Sequence, residues 1–307
     1  MYLHQNIPAF RAIIQATHNM TGIPYSLIEK DYYVFLLLKY IAVAAKDEVV
    51  FKGGTSLSKA WGIIKRFSED VDLCLPQNKV KNKGARKRLV NAVVNGIDDL
   101  QLQYVCKKLE HCGVYNDIQG FYQQQFKDNI VTPFVKVEIA NRTPEFPVAP
   151  GTIDSYVGVY LRGNIPDNIY MSYNLMPFQV STVMPIRTFV DKTFAVADYY
   201  LLKKVTRYSR HLYDLYKLME LVDWNDPTML ATLKAIYTEV MVLRHGYRRN
   251  ASTQDGIDHK AVLYEALRSD YYKNDYYATT YPILFENIPY EACRDRILWM
   301  LDNNFLI

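Results

Sequence analysis

The chain has 307 residues, of which 50% are hydrophobic and 22% charged, and its net charge is +4 at pH 7. This length allows two packed domains, and the composition excludes general disorder. The charge excess is too small to indicate nucleic-acid binding unless basic residues cluster locally. We find no signal peptide and no apolar stretch of about 20 residues that would span a membrane, so we expect a cytoplasmic protein without membrane contact.

The first half of the chain alternates between helical and extended patterns. Apolar spacing of three and four residues predicts helices, whereas short β-branched or alternating runs predict strands. In chain order, the predicted elements are helices at 7–19 and 24–46, a strand at 49–51, a helix at 56–65, a strand at 71–75, a long helix at 83–111 and a strand at 130–139.

Residues 143–184 contain five prolines and three glycines, which predicts loops with short strands such as one at 156–161. Helical patterns dominate the rest of the chain. The predicted helices there span 187–204, 210–221, 227–245 and 290–305. We therefore expect an α+β fold, with a mixed sheet and flanking helices in a domain at 1–184 and a helical domain at 185–307.

A glycine-rich turn follows the first predicted strand. Its sequence is Lys52-Gly53-Gly54-Thr55-Ser56. Two glycines let the backbone turn sharply and expose its amides, and a helix N-terminus directly after them favours phosphate. We expect Thr55 and Ser56 to cap this helix. The segment from Lys52 to Ser56 is thus a candidate nucleotide-binding turn.

Two aspartates follow the turn at close spacing. Asp70 and Asp72 lie two residues apart on a predicted strand, so their carboxylates leave the same face. Such a pair can hold divalent ions that stabilise the attacking and leaving oxygens of a nucleotidyl transfer. Glu138, on the strand at 130–139, is the candidate third carboxylate for Mg²⁺ or Mn²⁺. The alternative is that both aspartates are solvated acids at a strand end and the glycines form an ordinary turn.

Four segments in order resemble one family. The run from Phe51 to Lys59 and the run from Arg66 to Leu73 carry the turn and the two aspartates. They are preceded by Glu29-Lys30-Asp31-Tyr32-Tyr33. They are followed by Arg187-Thr188-Phe189-Val190-Asp191-Lys192 and Arg210-His211-Leu212-Tyr213-Asp214-Leu215-Tyr216. Over roughly residues 24 to 220, the sequence resembles the AbiEii/AbiGii toxin family of DNA polymerase β-like nucleotidyltransferases.

This resemblance implies a type IV toxin–antitoxin toxin with a cognate antitoxin, related to mycobacterial MenT proteins that add nucleotides to tRNA acceptor ends. By position, Ser68 and Asp70 match the catalytic Ser/Thr-x-Asp of the family. Lys192 matches its essential lysine and Asp214 its essential aspartate. Lys192 would pair with nucleotide phosphates. Asp214 would either orient Lys192 or take the proton of the attacking hydroxyl.

Two neighbours of these residues stay ambiguous in the sequence. Asp191 points about 100° away from Lys192 on a helix, which indicates a solvent-facing charge rather than a second catalytic acid. His211 is either a packing or capping histidine or a nucleotide contact one turn before Asp214. Ser68 would contact a phosphate or itself be modified.

Basic residues cluster after the strand that carries Asp72. Between 79 and 88 the cluster comprises Lys79, Lys81, Lys83, Arg86, Lys87 and Arg88. Positive charge at the start of a helix interacts unfavourably with the helix dipole. The cluster is therefore explained either by RNA binding or by a helix start that is exposed to solvent.

The later group Arg244, His245, Arg248 and Arg249 follows a predicted helix, where cations suit the negative end of the helix dipole. Tyr271, Tyr272, Tyr276, Tyr277 and Tyr281 would stack on bases or, as such rings more often do, pack in the core.

The sequence therefore predicts an enzyme that takes an NTP as substrate and, with magnesium, transfers NMP to an RNA hydroxyl, with tRNA as the expected acceptor. Two alternatives stay open. Within the same fold, NMP would be transferred to a protein side chain and no RNA surface would be needed. In a different functional class, the fold would only bind nucleotide or nucleic acid.

Overall fold

The computed structural model describes residues 2–108, 115–128, 131–140, 146–247 and 250–305. The chain divides into two compact units, one made of Met1–Gly62 and Ser68–Val183 and the other of Ile63–Phe67 and Met184–Ile307. The segment 63–67 thus belongs to the second unit, although the sequence on both sides of it belongs to the first. No helix in the described part of the chain combines the length and apolarity that crossing a bilayer requires.

A seven-stranded mixed sheet forms the centre of the first unit. Its strands are β1 (Val50–Lys52), β2 (Asp70–Cys74), β3 (Gln103–Lys108), β4 (Tyr115–Phe121), β5 (Phe134–Ala140), β6 (Val148–Ile153) and β7 (Phe178–Val183). Their order across the sheet is β3-β4-β5-β2-β1-β7-β6. β2 runs parallel to β5 and β1 runs parallel to β7, whereas the other neighbouring strands are antiparallel.

Six α-helices accompany this sheet in the described part of the first unit. They are α1 (Ile7–Thr21), α2 (Tyr25–Ala44), α3 (Gly53–Lys59), α4 (Lys83–Asp99), α5 (Tyr156–Asn164) and α6 (Asp167–Ser172). α2 is buried on nearly every side and contacts α1, α4 and α5. A helix that is apolar all round is expected at such a central position. The mixed sheet with flanking helices confirms the α+β class.

Alternation in the central strands separates an apolar face from a polar one. Val71 and Leu73 of β2 and Val137 and Ile139 of β5 are fully buried in the same hydrophobic core. The charged residues between them are only partly buried, namely Asp70 and Asp72 of β2 and Lys136 and Glu138 of β5. Because successive side chains of a strand point to opposite faces, the charged residues of β2 and β5 share the other face of the sheet.

Two buried ion pairs tie α2 to the elements around the central strands. Lys30 donates to Oε2 of Glu69 at 2.8 Å, and Lys59 of α3 pairs with Asp31. The second carboxylate oxygen of Asp31 accepts the backbone N–H of Tyr156 at 3.0 Å. The charged residues on this otherwise apolar helix therefore have specific partners, as buried charges require.

Three sequence predictions for this unit are wrong. The helix predicted to reach His111 ends at Asp99, because Gln101 has a φ of 57° and β3 begins two residues later; His111 itself lies outside the described residues. The strand predicted at 156–161 is helix α5, which Ser155 caps by accepting the N–H of Gly158 at 2.9 Å. The helix predicted at 56–65 spans Gly53–Lys59.

The described part of the second unit is helical. Its helices are α7 (Pro185–Leu201), α8 (Arg210–Leu218), α9 (Pro227–Arg244), α10 (His259–Arg268), the single turn α11 (Lys273–Asp275) and α12 (Tyr290–Asp302). α7 contacts α8, α9 and α10, so it lies at the centre of the bundle. The four helices predicted here are confirmed within a few residues at their ends, whereas α10 is not among the predictions.

Candidate active site

Charged side chains from three adjacent strands share the polar face of the sheet. In the strand register, Asp72 of β2 lies between Lys52 of β1 and Glu138 of β5. Asp70, two residues earlier in β2, is paired with Lys136 of β5. Residues that oppose each other in neighbouring strands point to the same face. The sheet therefore places Asp70, Asp72 and Glu138 on one face.

The Asp72 carboxylate packs directly against the glycine turn. Gly53 has a φ of 74°, and a Cβ built on it would lie 2.1 Å from Oδ2 of Asp72. Both the positive φ and the close approach require glycine at this position. Gly53 thus lets the start of α3 and one carboxylate of the aspartate pair occupy adjacent space.

The hydroxyls of the turn bind within the fold. Thr55 Oγ1 donates to the carbonyl of Asp70 at 2.5 Å and lies 2.9 Å from Oγ of Ser68. Ser56 Oγ donates to the carbonyl of Gly53 at 2.8 Å. The prediction that Thr55 and Ser56 cap the helix is wrong, because α3 begins at Gly53 and both residues fall inside its first turn. These bonds fix the turn to the start of β2.

Glu138 is ion-paired within the sheet. The Lys136 ammonium bonds its carboxylate and lies 3.8 Å from Oδ2 of Asp117, a β4 residue opposite Glu138 in register. Neither Lys136 nor Asp117 was predicted from the sequence. Nowhere in the described ranges do three Asp, Glu, His or Cys side chains group closely enough to hold a metal. The donor set of Asp70 and Asp72 nevertheless fits Mg²⁺, which usually takes one or two carboxylates together with substrate phosphates.

A buried ionic triad occupies the second unit. Arg66 holds Asp214 with two hydrogen bonds, from Nε to Oδ1 at 2.6 Å and from Nη2 to Oδ2 at 2.8 Å. Lys192 of α7 bonds the same Oδ2 at 2.5 Å. Asp214 is fully buried, and its two partners are nearly so. Lys192 and Asp214, both of which the resemblance singles out, are therefore in direct contact, and Arg66 is a third member that was not predicted from the sequence.

Burial and charge act together on this triad. Burial by itself would raise the pKa of Asp214, but Arg66 and Lys192 outweigh it and hold that pKa well below its usual range. Burial lowers the pKa of Lys192, which Asp214 partly opposes. A carboxylate with such a low pKa and a cation on each oxygen is a poor proton acceptor. The geometry therefore favours Asp214 as the group that orients Lys192.

His211 and Asp191 flank the triad on its two helices. Nδ1 of His211 lies 3.4 Å from Nζ of Lys192. Burial, followed by the positive charges of Lys192 and Arg210, lowers the pKa of His211 well below its ordinary value, so the ring is neutral. Asp191 accepts a hydrogen bond from Nε of Arg187 at 3.1 Å.

The basic cluster at 79–88 has members of two kinds. Lys79 donates to the carbonyl of Asp47 at 2.7 Å, and Arg88 bonds the carboxylate of Glu48. The remaining lysines of the cluster are exposed on the loop before α4 and on its first turns; they are Lys81, Lys83 and Lys87.

Other sequence candidates have structural partners. Arg244 bonds Asp198, whereas Arg248 and Arg249 lie outside the described residues. Tyr272 and Tyr276 are buried, and their hydroxyls donate to backbone carbonyls. These two tyrosines therefore belong to the core.

Comparison with known proteins identifies similar folds and a matching family. Residues 36–275 match the model of a family described as nucleotidyl transferase AbiEii toxin, type IV toxin–antitoxin system. Among solved structures, the chain is similar to MenT4, a nucleotidyltransferase toxin from Mycobacterium tuberculosis, with a TM-score of 0.58 and 16% identity over 96% of this chain and 88% of that chain.

Two Helicobacter pylori structures are also similar. The protein JHP933 has a TM-score of 0.42 and 15% identity, and the match covers 87% of this chain and 88% of that one. A structure described as a nucleotidyltransferase has a TM-score of 0.39 and 15% identity, covering 87% of this chain and 91% of that one. No curated protein matches the chain.

Proposed function

Because the chain belongs to the nucleotidyltransferase AbiEii toxin family of type IV toxin–antitoxin systems, and is therefore a nucleotidyltransferase, we propose that it transfers NMP from an NTP to the acceptor end of a tRNA. The resemblance seen in the sequence is confirmed by this family match. Membership implies an antitoxin partner and a nucleic-acid substrate. The acceptor, the metal and the roles of individual residues are parts of the proposal.

The observation that carries the proposal is the packing of the Asp72 carboxylate on Gly53. It joins a phosphate-binding type of turn to a carboxylate pair at the centre of the sheet. Asp70 and Asp72 would hold Mg²⁺ or Mn²⁺, and Glu138 is a third candidate ligand that would have to leave Lys136. Bound divalent ions would stabilise charge on the attacking and leaving oxygens.

The nucleotide phosphates would bind the backbone N–H groups of the turn. Since the hydroxyls of Thr55 and Ser56 bond within the fold, the amides of residues 53–56 are the donors we assign. Lys52, which opposes Asp72 on the neighbouring strand, adds a positive charge on the same face. By the family resemblance, Lys192 is assigned to nucleotide phosphates; an ammonium has three donors, and its described contacts use two.

In the proposed reaction, the acceptor hydroxyl oxygen forms a bond to the α-phosphorus. The bond from that phosphorus to the bridging oxygen breaks, and pyrophosphate leaves with its electron pair. The hydroxyl proton passes to solvent. Asp214 is a poor proton acceptor, because both of its carboxylate oxygens are already bonded to the cations of Arg66 and Lys192. Ser68, held by Thr55 beside the turn, is a candidate phosphate contact.

The exposed lysines Lys81, Lys83 and Lys87 would attract the RNA backbone, together with Lys79, Arg86 and Arg88 of the same cluster. Each phosphate contact makes binding salt-dependent. Neutralising the three exposed lysines should therefore weaken RNA binding and flatten its salt dependence.

The test incubates the purified protein with Mg²⁺, total tRNA and each α-labelled NTP in turn, and then separates RNA from protein. We expect one nucleotide to label tRNA, and we expect Asp70→Ala and Lys192→Ala to abolish the label. Label on protein alone would refute the RNA acceptor and favour protein modification. No transfer with any NTP would refute catalysis and leave a binding module.

A further inference from the structure

The loop between α7 and α8 is basic and contains no acid. The sequence from 199 to 213 includes Lys203, Lys204, Arg207 and Arg210 but neither Asp nor Glu. The side chains of Lys203, Lys204 and Arg207 are exposed. Such a concentration of positive charge on one short loop suits a ligand with several negative charges.

Three aromatic rings lie parallel to one another at the ends of this loop. The rings of Tyr199 and Tyr208 stack with centroids 3.7 Å apart and an interplanar angle of 23°. The ring of His211 lies within 9° of the plane of Tyr199 and within 19° of that of Tyr208. All three side chains are partly exposed. We call Tyr199, Tyr208 and His211 the ring platform.

The backbone of the loop is fixed by contacts inside the second unit. The carboxylate of Asp275 accepts the N–H groups of Arg207, at 2.9 Å, and Ser209, at 3.2 Å. The hydroxyl of Ser209 lies 2.7 Å from that of Thr280. The ring platform is therefore held in place before a ligand arrives, which reduces the ordering cost of binding.

The ring platform adjoins the buried triad. Nδ1 of His211 is 3.4 Å from Nζ of Lys192, which is itself bonded to Asp214. A base that stacks on these rings would thus lie beside a residue that we assign to nucleotide phosphates. This arrangement suits a strand end that must approach the reacting nucleotide.

We propose that the ring platform binds the unpaired acceptor end of the RNA substrate, with a base on the rings and the phosphodiesters on Lys203, Lys204 and Arg207. Aromatic rings interleaved with cations are typical of single-strand binding, because every base can stack. The phosphates of the NTP are already assigned to the turn at 53–56 and to Lys192, so these additional cations fit the strand. The inference rests on the proposed function for its choice of RNA.

The first experiment measures binding without NTP, so it does not depend on transfer. A short single-stranded RNA carries 2-aminopurine as its 3′-terminal base, whose fluorescence is quenched by stacking. We expect the wild type to quench it, and we expect Tyr208→Ala to abolish the quenching and weaken binding about ten-fold. Tyr208→Phe should keep both the quenching and the affinity of the wild type. The control is Tyr264→Ala, which changes a partly exposed tyrosine outside the platform.

A second experiment tests the cations. The double variant Lys203→Gln with Lys204→Gln should lower the slope of log affinity against log salt by about 1.4, since each of the two lost phosphate contacts on a single strand contributes about 0.7. The matched control is Lys46→Gln with Lys234→Gln, which removes two exposed lysines elsewhere. Equal effects of the two double variants would overturn the assignment.

The outcomes separate the ring platform from the proposed function. Quenching that depends on Tyr208, in a protein that transfers no nucleotide to RNA, would support the platform and refute the transfer. Transfer to RNA that is unchanged in Tyr208→Ala, together with unchanged quenching, would overturn the platform alone. Loss of NTP binding in Tyr208→Ala with normal RNA binding would also overturn it, because the rings would then serve the NTP.

Discussion

The buried triad predicts that two inactivating substitutions will differ sharply in stability. Arg66, Lys192 and Asp214 carry two positive charges and one negative charge. Lys192→Met removes one cation and leaves the two-pronged Arg66–Asp214 pair neutral and intact. Asp214→Asn leaves two buried cations without their counter-charge. Both variants should lose nucleotide transfer, but for different physical reasons.

The magnitudes follow from the burial of the three side chains. Breaking a buried ion pair by removing one partner costs about 3–5 kcal/mol, because the remaining charge is uncompensated. Asp214 is fully buried and has two such partners, so we expect Asp214→Asn to lower the free energy of unfolding by that amount. Lys192→Met relieves the desolvation of an ammonium and fills a similar volume. Its cost should stay within about 1 kcal/mol.

Unfolding in urea is followed by tryptophan fluorescence, to which Trp224 and Trp299 of the second unit and Trp61 of the first contribute. Hydrogen exchange of the α7 and α8 amides reports the same loss locally, which matters because a chain of two units need not unfold in one step. Transfer from labelled NTP is measured on the same preparations. Equal destabilisation of the second unit by Lys192→Met and Asp214→Asn, or unchanged stability in Asp214→Asn, would contradict this account of the buried charges.

Three further predictions concern the turn, a buried histidine and the missed arginine. Gly53→Ala should abolish transfer because its Cβ would displace the Asp72 carboxylate; Gly22→Ala, with a φ of 71° but open space around it, should keep transfer and share only the backbone strain. Burial lowers the pKa of His259 to about 4, so the folded protein binds fewer protons than the unfolded chain between pH 6.5 and 4 and loses stability as the pH falls. This loss of unfolding free energy amounts to about 3 kcal/mol. Urea unfolding at about pH 7.5 and about pH 4.5 should show the loss in the wild type and not in His259→Phe; an equal loss in both proteins would contradict the prediction. Arg66→Lys keeps the charge but cannot form a two-pronged contact with a carboxylate, so the maximal transfer rate should fall while the KM for NTP changes little; an unchanged rate would count against a positioning role.

The centre of the sheet was predictable because it has a strong local signal. β2 and β5 alternate charged and apolar residues, and this period of two assigns Asp70 and Asp72 to one face without any knowledge of the partner strand. The glycine turn is equally local, since a positive φ at Gly53 is a requirement of that single residue. Both features depend on backbone geometry over a few residues.

What the sequence did not reveal depends on register and on tertiary packing. Asp117 reaches Lys136 only because β4 pairs with β5 in one register, and β4 has no apolar run that marks it as a strand. Residues 156–161 have the β-branched and aromatic composition of a strand, yet the Ser155 cap and the burial of Val157 and Leu161 one turn apart favour a helix.

Arg66 illustrates the same limit for charges. Arg66 lies two residues before Ser68, within one of the family motifs. A charged residue before a predicted strand is normally exposed to solvent, so the sequence does not indicate that Arg66 is buried. Its burial against Asp214, 148 positions later, is a property of the folded unit. The signal that could have identified it is its place within a family motif whose other polar members have assigned roles.

The first family motif also contains buried charges, which lie on α2. Lys30 bonds Glu69, the residue directly before Asp70, and Asp31 bonds Lys59 at the end of α3. One helix therefore holds both the strand that carries the aspartate pair and the short helix that follows the glycine turn. Because a shift of about an ångström in such a site can reduce the rate by about two orders of magnitude, these pairs would serve the chemistry through position alone.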